Sequence, residues 1–229
     1  MMKFFGYVFA IALILAIPTF AQTRSRPKAT AAKKPAKPVK QPNNDAVVGR
    51  TYTNTSLGFG VTFPNTWLIP GDDFEAEMKK AGYDLSLKAP TNMGSASRSR
   101  IDQALKNVTI VLTAYRSMPG SADKAIVRIS IEDLRPNPQI KDAIDYFDAM
   151  RVQFRSLTLP ADFEYSETKA EQLGKWQFAY LDSSSKAGKK RLYATVRKGY
   201  AILFSLSYTK DEDLETLRQV LKDGDFALR

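Results

Sequence analysis

The chain contains no cysteine and no histidine. The first absence excludes disulfides, thiol catalysis and a cysteine-linked lipid anchor. The second removes the commonest general base, zinc sites of ordinary type and the Ser-His-Asp triad. Any chemistry must come from carboxylates, lysine or tyrosine. A glycine-rich phosphate loop is also missing, because Gly58-Phe-Gly60 lacks a third glycine and a following helix. No calcium loop is present either. Asp211-Glu-Asp213 reads as the acidic start of a helix, and Asp223-Gly-Asp225 as a helix exit. Ser121-x-x-Lys124 matches a short acylation motif but has none of its companions, and it falls in a turn. Asn54-Thr-Ser56 and Asn107-Val-Thr109 fit the glycosylation acceptor and bear on the protein only in a host that glycosylates. The sequence therefore nominates no catalytic residue, cofactor site or metal site.

What is there begins with a 1–21 segment that has the form of a secretory signal. Lys3 is the positive start, Phe4 to Leu15 is apolar, and Pro18 to Ala21 supplies the break and the small residue before a cleavage point between Ala21 and Gln22. The alternative is an uncleaved membrane anchor; the apolar run is short for a span, so cleavage is the expectation, with no transmembrane helix after it. Residues 22–46 follow as a Pro-, Ala- and Lys-rich linker without apolar periodicity, expected to be disordered. It carries Arg24, Arg26, Lys28, Lys33, Lys34, Lys37 and Lys40 against Asp45, which is most of the chain's formal net charge of +10. This basic tail offers an electrostatic tether to an anionic surface, or is simply a solvated spacer. Because the charge sits on an exported tail, nucleic acid is a poor candidate partner.

Residues 47–229 are enough for one domain with a sizeable core. Thr51 to Ser56 and Gly60 to Pro64 read as strands around a turn at Leu57-Gly58, with Pro64 ending the ladder and Trp67 returning to the core. A short helix is expected over Asp72 to Ala81, a strand over Tyr83 to Ala89, and a loop over Pro90 to Ser99. Val108 to Tyr115 and Ala125 to Leu134 are strands. In the second, Val127, Ile129 and Ile131 alternate with Arg128, Ser130 and Glu132, which predicts one buried and one wetter face. Asn137-Pro138 opens a long helix whose stripe is Ile140, Ile144, Phe147, Met150, Phe154 and Leu157. Trp176 to Leu181 is a further strand, its aromatics Trp176, Phe178 and Tyr180 read as core. Arg191 to Val196 and Tyr200 to Tyr208 flank a tight hairpin turn at Arg197-Lys198-Gly199. A capping box of Thr209 and Glu212 starts the last helix. Hairpins separated by helices predict an α+β fold with a largely antiparallel sheet.

Tyr52, Asn54, Gly58, Phe59, Pro64 and Trp67 together resemble the first hairpin of PsbP-like domains. The late block from Arg191 to Phe226, with Gly199 in its turn, is similar as well. The resemblance implies an α/β/α sandwich around an antiparallel sheet, as in the photosystem II extrinsic subunit P and a Ran-binding nuclear import factor. It also implies a non-catalytic accessory or binding protein, and the matched positions are fold-marking. The leading expectation is thus an exported, non-enzymatic envelope protein, periplasmic or extracellular, whose partner is an envelope protein or polymer. The alternatives are a carboxylate-based envelope hydrolase and a carrier of a small apolar ligand.

Overall fold

A computed structural model describes residues 45–71, 73–105, 109–121, 123–186 and 188–227, together with Ile17–Pro18, which pairs antiparallel with Leu87–Lys88. The signal cleavage point and the seven cations of the linker lie outside the described residues. The first ladder takes in Asp45, two residues before the expected domain boundary. It consists of β1 (Asp45–Val48), β2 (Thr51–Asn54) and β3 (Phe59–Thr62), a three-stranded antiparallel sheet. The second sheet has seven strands: β4 (Thr109–Tyr115), β5 (Ile126–Asp133), β6 (Glu164–Tyr165), β7 (Lys169–Leu173), β8 (Trp176–Ser185), β9 (Gly188–Arg197) and β10 (Tyr200–Tyr208). Its order is β4-β5-β10-β9-β8-β6, and β7 also pairs with β8. All its pairings are antiparallel. The fold is α+β, as the alternation of hairpins and helices predicts.

Both faces of this sheet are covered. On one face α2 (Ser95–Leu105) and α3 (Ala143–Phe154) pack Ile101, Ala104, Tyr146, Phe147, Met150 and Phe154 against Leu181, Leu192, Ala194 and Leu203. The short α1 (Phe74–Lys80) adds Met78 beside Leu85, Tyr115 and Ile126. On the other face the three-stranded sheet and α4 (Asp211–Lys222) bring Tyr52, Phe59, Trp67, Leu217 and Leu221 onto Ile129, Phe178 and Phe204. This double cover corrects the reading of β5. Arg128, Ser130 and Glu132 are buried like the apolar residues between them, because helices lie over the face that strand alternation left to water.

Three helix expectations change. Ser95–Leu105 is a helix where a loop was expected up to Ser99. Its serines and arginines hide a narrow inward stripe of Ser97, Ile101 and Ala104, and Asp102 and Ser97 accept the backbone N–H groups of Ala89 and Thr158. The helix after Asn137-Pro138 begins only at Ala143, because the Asp142 carboxylate accepts from the N–H groups of Ile144 and Asp145 and fixes the start there. That shift turns Ile144 outward and Tyr146 inward. The last helix is preceded by Lys210, without a side-chain cap, so the Thr209–Glu212 capping box does not form. Acidic residues in the first turn match the helix dipole instead. The expected strand over Tyr83 to Ala89 shrinks to Leu87–Lys88.

One glycine is fixed by two separate demands. Gly174, in the β7–β8 turn, has φ +61°, and a Cβ there would lie 2.5 Å from the carbonyl oxygen of Lys222 at the end of α4. Gly174→Ala is expected to cost about 2 kcal/mol or more, from left-handed strain plus a backbone clash that no rotamer relieves. Chemical unfolding measures it; a midpoint equal to that of the parent protein contradicts the close approach.

Candidate functional site

The motif residues of the first hairpin are structural in their placement. Tyr52, Asn54, Phe59 and Trp67 are about 1 % exposed or less. The Asn54 side chain accepts from the Leu57 N–H at 2.9 Å, and Gly58, at φ +70°, donates its N–H to Asn54 O. That burial also closes the Asn54 glycosylation acceptor, while Asn107 lies outside the described residues. Pro64 is exposed just past the end of β3. Lys198 and Gly199 both take positive φ, which matches the two-residue turn between Arg197 and Tyr200.

Several carboxylates are held in structural contacts. Asp182 accepts a bidentate pair from Arg191 at 2.6 and 2.7 Å. Glu171 receives Arg218 and the Tyr193 hydroxyl, tying α4 to the edge of the sheet. Asp213, buried at the start of α4, faces Arg116 at 3.5 Å; burial, with Asp123 nearby, raises its pKa. Ser121 donates to Asp123 O within its own turn. Asp225 exchanges backbone bonds with Gly60. Among the described residues no group of three or more acidic side chains gathers as a metal site. No helix among them is long and apolar enough to cross a membrane.

An open cleft of about 410 Å³ lies at the end of the β8–β9 ladder, lined by Trp176, Gln177, Thr195, Val196, Arg197, Lys198 and Phe226. Trp176 is held by an indole N–H donated to Gly224 O at 3.2 Å. The Arg197 guanidinium sits over that indole, 5.8 Å from its centroid. Burial lowers the Arg197 pKa and the Asp225 charge opposes this. Lys198 donates to Ser56 O at 2.8 Å. The lining thus offers cations, an amide, a hydroxyl and an aromatic plane, and none of its members is a carboxylate. Such a surface suits an anionic or planar group. Trp176 was legible as an aromatic strand residue, but sequence reading placed it in the core. The turn beside it carried the missing signal, Arg197-Lys198 directly before Gly199.

Three polar residues of β5, Arg128, Ser130 and Glu132, are buried. Glu132 accepts the Tyr146 hydroxyl at 2.5 Å, and burial pushes its carboxyl up to about 8.

No family model matches the chain, and no curated protein does. Among solved structures, the chain is similar to the solution structure of cyanobacterial PsbP (CyanoP) from Synechocystis sp. PCC 6803. The match is at 12% identity with a TM-score of 0.41, covering 78% of this chain and 96% of that one.

Proposed function

We propose that the protein is an exported, non-catalytic accessory protein of PsbP-like type that binds an acidic segment of an envelope partner in the Trp176–Arg197 cleft. The observation that carries this reading is the cleft lining, which sets a guanidinium and an ammonium around an aromatic plane and supplies no carboxylate. The hairpin motif from Tyr52 to Trp67 supports the family reading. The signal-like 1–21 segment supports export. The linker cations would add a salt-sensitive attraction to anionic surfaces, distinct from docking on the folded domain.

Retention from the host's envelope extract tests it. The parent protein is expected to keep one protein partner at high salt, and Arg197→Glu to lose it while folding normally. Partner retention unchanged by Arg197→Glu removes the cleft from the account. Cleavage of a glycan or ester by the purified protein, lost on changing one Asp or Glu, overturns the non-catalytic reading.

A further inference from the structure

The helix-covered face of the seven-stranded sheet carries, besides the Glu132–Tyr146 pair, one polar patch. Across the ladders, Lys190 of β9 stands opposite Ser183 of β8 and Ser207 of β10. In the next row Arg128 of β5 stands opposite Ser205 of β10 and Thr113 of β4. Residues directly opposite in a ladder point to the same face. Ser205 and Ser207 therefore sit between two cations on that one face. Arg128, Ser130, Ser183 and Ser205 are each buried, Arg128 at 4 % exposure.

The charge of exposed Glu75, on α1, favours the Arg128 cation, but the two form no ion pair. Among the described residues no carboxylate forms a salt bridge with Arg128, and its hydrogen bond is a long one, 3.4 Å to Leu85 O. The buried hydroxyls of Tyr115 and Ser130, on the same face, have no partner. Glu132 lies further along β5 and is taken by Tyr146. Burial lowers the Arg128 pKa; burial and then the Arg128 charge bring the Lys190 ammonium down to about 7. A buried guanidinium without an ion-pair partner is costly, and a guanidinium beside hydroxyl donors matches the oxygens of a tetrahedral anion.

We propose that Arg128 and Lys190, with Ser205 and Ser207 between them, form an interior site for a small oxyanion of the phosphate or sulfate class. The guanidinium takes two oxygens, the ammonium approaches from the β9 side, and the serine hydroxyls donate to the rest. This site is separate from the Trp176–Arg197 cleft and does not depend on it.

Calorimetric titration of the purified protein with sodium sulfate and with sodium phosphate tests the site, with sodium chloride at matched ionic strength as the control. One saturable event per chain is expected for the oxyanions. Lys190→Met should weaken it about tenfold or more, the scale of losing one charge-assisted hydrogen bond. Ser205→Ala should weaken it less. Arg128→Met removes a buried residue and is at risk of not folding, so Lys190→Met carries the test. Far-ultraviolet circular dichroism of Lys190→Met should match the parent's, so that a lost titration signal reports the site and not the fold. Phosphatidylcholine vesicles containing phosphatidate separate the two sources of phosphate. Binding to free phosphate alone identifies a soluble anion. Vesicle binding that free phosphate displaces and Lys190→Met abolishes identifies a headgroup. No saturable oxyanion binding by the parent protein, or binding that Lys190→Met leaves unchanged, overturns the proposal.

Discussion

Phe226→Ala is expected to lower the unfolding free energy by about 3–5 kcal/mol. Phe226 lies past the last helix, yet it is 1 % exposed. Its ring stacks on Phe59 of β3 at 5.9 Å and meets Phe178 of β8 edge-on at 5.2 Å. Phe204 of β10 and Trp176 of β8 complete its surroundings at 6.1 and 5.7 Å. One side chain thus joins the three-stranded sheet to the seven-stranded one. Aromatic contacts add to the area it buries, and truncation leaves a ring-sized void in a region that the chain's own end must fill. Phe226→Leu keeps most of the volume and should cost clearly less. Urea unfolding followed by tryptophan fluorescence reads both changes, because Trp176 reports on the same cluster. A loss under 1 kcal/mol for the alanine variant would mean that the C-terminal residues do not pack as described.

Glu132→Gln is expected to flatten the fall in stability between pH 5 and pH 8. Burial holds the Glu132 carboxyl at about 8, against an ordinary value of 4.5, and the Tyr146 hydrogen bond only partly opposes that rise. In this window the folded state keeps a proton that the unfolded state has released. Stability from this group is therefore complete below pH 4.5 and is lost as pH climbs toward 8. The slope is about 1.4 kcal/mol per pH unit, so roughly 4 kcal/mol separates pH 5 from pH 8. Glutamine holds the same shape and stays neutral. Other titrating groups are common to both proteins and cancel in the difference. Unfolding midpoints at pH 5, 6.5 and 8 are the measurement. The variant should gain on the parent at each step upward, and parallel curves would show that Glu132 is ionised in the fold at neutral pH.

Much of the architecture was legible because hairpins carry local instructions. Lys198-Gly199 requires two positive φ values in succession, and Asn54 with Gly58 closes a turn through its own side chain. These are short-range events, and a turn is legible in the sequence at both places, although Arg197 belongs to its strand and the first strand ends at Asn54. The α2 helix was missed because its propensity signal is weak. Its serines favour turns, and its stability comes from Ile101 and Ala104 meeting a sheet that sequence alone does not position. Helix α3 was begun too early because Pro138 fits a first helical position, while the actual cap is Asp142. The interior polar residues were the larger loss. Alternation along β5 states that two faces differ, and says nothing about whether water or a helix covers the second one. Only the strand order, with β5 and β10 side by side inside the sheet, turns Arg128 and Glu132 from exposed residues into buried ones. The cleft was hidden for the opposite reason. Arg197 and Trp176 come together only because β8 and β9 pair, and each alone reads as an ordinary strand residue.

The measurement that tests docking on the folded domain most directly is photocrosslinking in the living host. A photoreactive residue would replace exposed Gln177 at the cleft, and in a second protein Val152, which is 59 % exposed on α3. The account predicts a discrete adduct with one envelope protein from position 177, lost when Arg197→Glu is added, and no such adduct from position 152. An adduct from position 152 alone, or none from position 177 while the basic tail still holds the protein to the envelope, would contradict it.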